Sequence, residues 1–234
     1  MLAFASDMKI SEWDVRPVPH SRSSQHMEPL PASAKRRPPR PSQSGAVESL
    51  DLDDVRKQFE TNVFGLVRLT QLVLPSMRAH RSGRIVNISS MGGRLTFPGG
   101  GAYHASKYAV EAFSDALRFE VSGFGVKVVL VEPGLITTGF DEAATAAMPE
   151  GEGPYAGFNA AVAAATVSAY DGPLVRFGGP PEKVAKVIEK ALTANHPRAR
   201  YLVTASAYGA VAGRRLMPDR AWDLAMRAQF PRPR

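Results

Sequence analysis

The sequence contains no cysteine. Disulfides and thiolate metal sites are therefore excluded, and the absence fits a reducing cytoplasm, where we expect the protein to reside. No apolar run reaches the roughly 18–20 residues of a membrane-spanning helix. The apolar start, Met1–Ala5, is followed at once by Ser6 and Asp7, so it is shorter than the apolar core of about 7–15 residues in a signal peptide. The sequence predicts no membrane partner.

Apolar periodicity is missing from the first 45 residues. They contain seven of the 19 prolines and seven Lys/Arg against four Asp/Glu. Such a stretch cannot bury enough apolar surface to offset the entropy lost on ordering. We therefore predict a disordered, basic Pro/Ser/Arg-rich segment over 1–44 and a folded domain over 45–234. The basic run at 35–41 has no interleaved aromatics or recognition motif, which favours a solvated tail over nucleic-acid binding, so no nucleic-acid partner is predicted.

The remainder alternates strands and helices. From residue 84 onward this order is typical of an α/β domain with a parallel sheet. Apolar runs predict strands at 85–88, 126–131 and 201–204, and an apolar strand of this kind suits a sheet covered on both faces. Helical spacing predicts helices at 52–79, 103–122, 181–193 and 219–229, and short helices within 135–180. Asp51 is the expected N-cap of the first helix and Gly83 its expected C-terminal stop.

Tyr103 and Lys107 are the first candidates for chemistry. Their spacing of four residues on a helix puts both side chains on one face. A phenol has a pKa near 10, and a nearby ammonium lowers that pKa by favouring the phenolate. A tyrosine so placed can exchange a proton with a carbinol oxygen near neutral pH. Ser90 follows a strand, where active groups of open α/β sheets lie, and its hydroxyl can hold a substrate carbonyl.

Two ordered motifs resemble the active-site signature of the classical short-chain dehydrogenases/reductases. They are Asn87-Ile88-Ser89-Ser90 and Tyr103-His104-Ala105-Ser106-Lys107. The family serine precedes the tyrosine by thirteen positions, which selects Ser90 over Ser89. Asn62 resembles the helix asparagine that completes the tetrad. The segment 133–138 resembles the motif around the nicotinamide, with Thr138 rather than Thr137 as the matching threonine, and 217–222 resembles bacterial members.

The resemblance implies an incomplete Rossmann-like, doubly wound parallel sheet in a three-layer α/β/α fold. It implies an NAD(P)-dependent oxidoreductase that interconverts an alcohol and a ketone or aldehyde, with the hydride supplied by NAD or NADP. Tyr103 would be the general acid/base, Lys107 would bind the nicotinamide ribose and lower the tyrosine pKa, and Ser90 would orient the substrate oxygen. Asn62 would hold a water through its backbone. Residues lining the nicotinamide would be Pro133, Gly134, Ile136 and Thr138, and no metal is expected.

The amino-terminal sequence departs from the family. Its fingerprint, Thr-Gly-x-x-x-Gly-x-Gly, does not occur before Gly45, and neither does Asn-Asn-Ala-Gly; the run Gly99–Gly101 lies in the active-site loop instead. A βαβ unit takes about 30 residues, so three cannot fit in front. We therefore expect an amino-terminally truncated or frame-altered member that lacks the first strands, which translation of the upstream DNA tests. Strand 84–89 would then lack a neighbouring strand on one side and expose an apolar edge. We therefore expect the chain to be marginally stable.

Two functions remain open. The chain is either a working oxidoreductase or a catalytically inactive fragment lacking the dinucleotide-binding half. The residues that decide between NAD and NADP are absent. The apolar side chains Phe140, Met148, Tyr155, Phe158 and Phe177 suit a small, apolar, lipid-like or steroid-like alcohol or ketone, or else they pack their own loop. The resemblance also implies a homodimer or homotetramer, with helices 52–79 and 103–122 forming the interface between subunits.

Overall fold

The computed structural model describes residues 2–5, 44–139, 145, 153–230 and 232–233. Its strands and helices follow one another in the predicted alternation. In chain order they are β1 Leu2–Ala5, α1 Leu52–Phe59, α2 Gly65–Ala79, β2 Gly83–Ile88, α3 Gly101–Glu120, β3 Val126–Glu132, α4 Ala156–Asp171, α5 Pro181–Thr193, β4 Arg200–Leu202, α6 Ala205–Leu216 and α7 Asp219–Gln229. None of the described helices is long and apolar enough to cross a bilayer.

The strands form one sheet in the order β1-β2-β3-β4. The pairs β2–β3 and β3–β4 are parallel, with Gly83 opposite Val126 and Leu130 opposite Arg200. Parallel strands bring their carboxyl ends to one edge of the sheet, where ligands of open α/β folds bind. The segments that follow β2 and β3, each carrying sequence-predicted site residues, therefore begin side by side.

Helices cover the sheet on both faces. Alternate residues of a strand point to opposite faces, so the strands divide their apolar side chains between two clusters. One cluster joins the sheet to α2 and α3 and contains Val73, Met77, Ile85, Val121, Val126 and Val128. The other joins it to α5 and contains Val86, Val129, Val131, Ala191 and Val203. This three-layer arrangement confirms the predicted α/β class.

The helix predicted over 52–79 is present, with one wide turn inside it. Asp51 caps its start by accepting a hydrogen bond from the Asp53 N–H at 2.8 Å, as predicted. Between α1 and α2, Glu60–Phe64 form a π turn, in which the Gly65 N–H bonds the Glu60 carbonyl. Turns of this kind recur at functional sites, and this one contains Asn62.

Three local features differ from the expectations. The left-handed residue after α2 is Arg81, with φ 50°, and not Gly83, which begins β2 and packs against Met77. Of the helices predicted as short within 135–180, one is short, the 3-10 helix Pro173–Phe177, and the other, Ala156–Asp171, has 16 residues. Helix α6 was missed, because its two glycines and many small residues weaken the apolar pattern; the Thr204 side chain caps it by accepting from the Ala207 N–H.

The expected bare edge of the central sheet is not found. Leu2–Ala5 pair antiparallel with β2, Leu2 opposite Asn87 and Ala5 opposite Arg84. The backbone groups of β2 on that side are thereby engaged, so the prediction of an unpaired strand was wrong. Residues 6–43 lie outside the described residues, and disorder there stays a prediction.

Deleting Met1–Ala5 is expected to destabilise the chain. The deletion unpairs one side of β2, and four residues of lost ladder at about 0.5 kcal/mol each amount to about 2 kcal/mol. An exposed edge also templates aggregation. Urea denaturation and light scattering measure both effects, with removal of Pro233 and Arg234 as the control. An unchanged unfolding midpoint would mean that the β1–β2 pairing contributes nothing.

Candidate active site

Ser90 lies where β2 gives way to the loop that leads to α3. It caps a short turn by accepting the Gly92 N–H at 3.0 Å, and its hydroxyl lies 3.5 Å from the Pro133 carbonyl. Ser89 differs, because its side chain is buried and its hydroxyl oxygen has no hydrogen-bond partner among the described residues. The half-buried Ser90 is therefore the serine on the side of Tyr103.

Tyr103 stands on the first turn of α3 with its phenol hydrogen-bonded to the Ser90 side chain. Asn87 explains why these two residues meet, because its buried amide donates to Ser114 Oγ at 2.8 Å and so fixes β2 against α3. Burial raises the pKa of Tyr103, and the Ser90 hydrogen bond opposes the rise by favouring the phenolate. The expectation that Lys107 lowers this pKa was wrong for the protein as it stands. The phenol is consequently protonated at neutral pH.

Lys107 lies one helical turn after Tyr103 and faces the same way. Its ammonium is 5.9 Å from the centre of the Tyr103 ring and donates to the Ile88 carbonyl at 3.1 Å. Burial lowers the pKa of Lys107 to about 8, while the Glu111 carboxylate opposes that shift. The ammonium is bound to the end of β2, beside the phenol. Its remaining N–H groups could donate hydrogen bonds to a ribose hydroxyl.

Asn62 reaches the same helix through Ser106. Its amide donates to Ser106 Oγ at 3.0 Å, and Ser106 in turn donates to the Tyr103 carbonyl at 2.7 Å. The π turn around Asn62 is thereby fastened to the first turn of α3. The sequence contained the signal for Ser106, which stands beside Lys107 in the motif, although its link to Asn62 was not foreseen.

The segment after β3 packs tightly beside the serine loop. The Pro133 carbonyl accepts the Met91 N–H at 2.8 Å, which joins the two loops. Gly134 lies against the start of α6, where an added Cβ would come within 2.3 Å of Thr204 Oγ1 and 2.7 Å of the Ala207 nitrogen. Ile136 forms a bridge with Gly179, and the exposed Thr138 turns back to the Ile136 carbonyl. Thr138 is the predicted residue that stands farthest out.

Gly134→Ala is expected to destabilise the protein by about 1–3 kcal/mol, because the new methyl group must displace backbone at the start of α6. Gly209→Ala is the matched control. Gly209 lies inside α6 with nothing within 4 Å of the added methyl, so there the change should stabilise the helix by about 0.5–1 kcal/mol. Thermal unfolding of both variants measures the difference, and equal shifts would refute the close packing at Gly134.

His104 is a site residue that the sequence did not single out. It is buried, its Nδ1 lies 2.9 Å from the Gly92 carbonyl, and the Phe97 N–H bonds its Nε2 at 3.2 Å. Burial lowers the pKa of His104, so the neutral ring bridges the loop between Ser90 and α3. Glycines at positions 92 and 100 leave the room that the ring occupies, since a Cβ at either would come within 2.6 Å of it.

The predicted substrate-loop side chains have other partners. The Tyr155 hydroxyl donates to Glu48 at 2.8 Å, and Phe158 packs against Val162 and Phe230. Phe177 is 42% exposed and lies beneath the Arg176 guanidinium, while Phe140 and Met148 lie outside the described residues. For Phe158 the structure favours packing within the folded chain, and the Tyr155 hydroxyl is bound by a residue outside the loop.

The donor set fits the nicotinamide half of a dinucleotide. An ammonium, a phenol and a serine hydroxyl converge where β2 ends, and the segment 133–138 leads away from the end of β3 beside them. Tyr103 and Lys107 would hold a ribose, and Pro133, Gly134, Ile136 and Thr138 would border the ring. Among the described residues ahead of β2, no glycine-rich turn connects a strand to a helix, so these residues offer no pyrophosphate cradle of that kind.

The sequence of the chain is similar to those of known oxidoreductases. The short chain dehydrogenase family model matches residues 40–149. An uncharacterized oxidoreductase of Escherichia coli K12, YbbO, is 37% identical over 179 residues, which cover 76% of this chain and 61% of that protein. An NADPH-dependent 3-dehydrocapnine reductase of Ornithobacterium rhinotracheale is 37% identical over 183 residues, covering 76% and 63%.

A solved structure gives the same result. The crystal structure of a short-chain dehydrogenase from Streptomyces avermitilis superposes with a TM-score of 0.62 and 35% identity, over 80% of this chain and 65% of that chain. The chain spans about three fifths of the length of the curated relatives that it matches.

Proposed function

Because the chain belongs to the short-chain dehydrogenase/reductase family, we propose that it is an NAD(P)-dependent oxidoreductase that reduces a ketone or aldehyde to an alcohol, with Tyr103 as the proton donor. The observation that carries this proposal is the convergence of the Ser90 hydroxyl, the Tyr103 phenol and the Lys107 ammonium at the end of β2. That set of donors suits a carbonyl oxygen that gains negative charge.

The mechanism follows from the donors. Ser90 and Tyr103 would both donate to the substrate oxygen, which orients the carbonyl and stabilises charge that develops on it. When bound, the nicotinamide supplies the hydride. Tyr103 would then pass its proton to the alkoxide, and the Ser90 hydroxyl, whose hydrogen bond favours the phenolate, would stabilise the phenolate left behind, while Lys107 would bind the ribose. Asn62 would hold a water through its helix backbone and relay a proton to that site.

The protonation states at neutral pH suit the reduction of a carbonyl. With its pKa raised by burial, Tyr103 carries the proton at neutral pH, and the neutral phenol is the form that an alkoxide requires as an acid. Lys107, with a pKa of about 8, is mostly charged at that pH. The relative named for NADPH-dependent reduction supports the same direction and favours NADPH as the cofactor.

The substrate is proposed to be a small, apolar carbonyl compound. A cleft of about 500 Å³ borders the loop after Ser90. One part of its lining is apolar, with Phe97, Pro98, Trp222 and Met226, and the charged Arg214, Asp223 and Arg227 line the rest. Phe97 also contacts the His104 ring, with the ring centres 6.0 Å apart. The apolar part of a substrate whose carbonyl meets Tyr103 could extend along this wall.

A second interpretation is an inactive fragment. It is favoured by β1, which pairs antiparallel with the edge of β2, and by the lack of a glycine-rich strand-to-helix turn in residues 44–82. Such a chain would keep the acid/base groups without holding a dinucleotide. Cofactor binding separates the two interpretations.

Self-association is proposed through α1–α2 and α3. These helices expose large apolar side chains, a face that a second copy could cover: Phe64 is 55% exposed, Phe113 47% and Phe119 82%. Sedimentation of the wild-type chain should give a dimer or tetramer, and Phe113→Ser together with Phe119→Ser should shift it to the monomer. A monomeric wild type would contradict this assignment.

The deciding experiment is a titration of the purified chain with NADPH and with NADH, followed by cofactor fluorescence. We expect saturable NADPH binding, which cyclohexanone or a long-chain methyl ketone then converts into consumption of NADPH. Binding of neither cofactor would refute the proposed function and leave the inactive interpretation.

A further inference from the structure

Glu132 is a buried acid directly beside the site. It is the last residue of β3, it precedes Pro133, and its side chain is 1% exposed. Oε1 accepts a hydrogen bond from Arg94 at 3.2 Å and forms an ion pair with Arg200 Nε at 3.1 Å, while Oε2 has no partner. Burying a carboxylate costs free energy unless the carboxylate is paired. The burial of Glu132 between two arginines therefore calls for an explanation.

A second carboxylate shares one of those partners. Arg200 Nε also lies 3.1 Å from Glu111 Oε2, and the other end of the guanidinium binds Asp115. Glu111 stands on α3, four residues after Lys107 and eight after Tyr103, and therefore on the same helical face. Its side chain is 7% exposed. The Arg200 guanidinium thus connects β3, β4 and the helix that carries the reacting phenol.

Arg94 connects the same acid to the serine loop. It ends the short turn that Ser90 caps, and the Arg94 N–H bonds the Met91 carbonyl at 2.9 Å. The loop has little freedom there, because a Cβ at Gly93 would come within 2.9 Å of Glu111 Cγ and 3.1 Å of the Lys107 carbonyl. One carboxylate therefore holds the loop of Ser90, the segment of Pro133 and, through Arg200, helix α3.

We propose that Glu132 is a positioning residue for the reaction: through Arg94 and Arg200 it fixes the Ser90 loop and the Pro133–Gly134 segment against the helix that carries Tyr103 and Lys107. This inference rests on the proposed function. Glu132 touches none of the reacting groups and acts through the elements that hold them. No spacing in the sequence marks it, since Arg94 and Arg200 lie 38 residues before and 68 after it.

The clamp requires the ionised form of Glu132. Burial and the Glu111 carboxylate raise the pKa of Glu132 to about 7, against Arg94 and Arg200, which lower it. The other charges of the cluster are Asp115 and Arg118 on α3, beyond Arg200, and Lys107 beyond Glu111. A raised acid pKa means that Glu132 gains its charge only as pH rises through about 7, so the clamp and the turnover that depends on it should strengthen over that interval.

Glu132→Gln keeps the shape of the side chain and removes the charge. With NADPH and cyclohexanone, we expect kcat to fall about tenfold or more, as small misplacements of reacting groups do, with KM little changed and the rise in kcat through neutral pH lost. Arg94→Met should reproduce both effects, and Arg94→Lys should restore part of the rate. Asp53→Asn, which removes an exposed acid from α1, is the charge control.

A second measurement does not depend on turnover. Amide hydrogen exchange at Gly93 and Arg94, whose N–H groups bond Ser90 and Met91, should be about tenfold faster in Glu132→Gln and in Arg94→Met than in the wild type. If Glu132→Gln does not fold, the half-exposed Arg94 variant decides. Unchanged exchange, or an unchanged pH profile in an active enzyme, overturns the positioning role. Faster exchange in a chain that never consumes NADPH supports the clamp and refutes only the proposed function.

Discussion

Replacing Tyr103 with phenylalanine is expected to lower kcat about a thousand-fold, within the range that a general acid contributes. The ring keeps its edge contact with His104, 5.7 Å between centres, while the hydroxyl that meets Ser90 is lost. Because the phenol is proposed to supply the proton and not the bulk of the cofactor contacts, NADPH binding should weaken by no more than a few-fold. Initial rates at saturating NADPH, together with fluorescence titration, separate the two quantities.

Tyr208→Phe is the matched control for that experiment. Tyr208 lies on α6, is 56% exposed and contacts none of the proposed reacting groups, so its loss should leave the rate within about twofold of the wild type, as surface changes do. If Tyr103→Phe retained a comparable rate, Tyr103 would not be the acid, whatever its position in the motif.

Replacing Lys107 with methionine should have opposite effects on activity and stability. Activity is expected to fall by about 10²-fold or more, since the ammonium that would bind and position the ribose is gone. The free energy of unfolding should rise by about 1 kcal/mol at neutral pH, because a buried charge whose pKa lies below its unfolded value costs stability. The lost bond to the Ile88 carbonyl limits the gain.

The pH dependence tests the sign of that gain. The pKa of Lys107 is about 8 in the folded chain and 10.5 as its ordinary value, so the unfolded chain binds the extra proton between these limits. The cost is complete below pH about 8 and fades toward pH about 10.5, so the advantage of Lys107→Met should shrink over that range. Urea denaturation at neutral and alkaline pH measures it, with the exposed Lys186→Met as the control. A destabilised Lys107→Met at neutral pH would contradict the account.

The sequence predicted the parts of the site that depend on local spacing. The spacing of four positions from Tyr103 to Lys107 puts both on one helical face, and the place of Ser90 at the end of β2 follows from the strand before it. The sequence could not show how burial acts on the phenol. Desolvation raises the pKa of Tyr103, whereas the spacing alone suggested that Lys107 would lower that pKa.

Long-range contacts account for most of the remaining differences. The pairing of β1 with β2 joins Ala3 to Val86. An apolar run of only four residues is too short to predict which distant strand it pairs with. The clamp around Glu132 likewise depends on arginines from two distant segments. The wide turn at Asn62 is a change in backbone hydrogen bonding that apolar periodicity does not reveal, because the helical stripe continues on both sides of it.

Hydride transfer is the most direct test of the central claim, that the groups at the end of β2 reduce a carbonyl. The purified chain should be incubated with cyclohexanone and NADPH that is deuterated at the reactive nicotinamide carbon, and the alcohol should then be analysed by mass spectrometry. We predict deuterium at the carbinol carbon with the wild type and a thousand-fold less with Tyr103→Phe. No labelled alcohol from a chain that binds NADPH, with cyclohexanone or with a long-chain methyl ketone, would contradict the account.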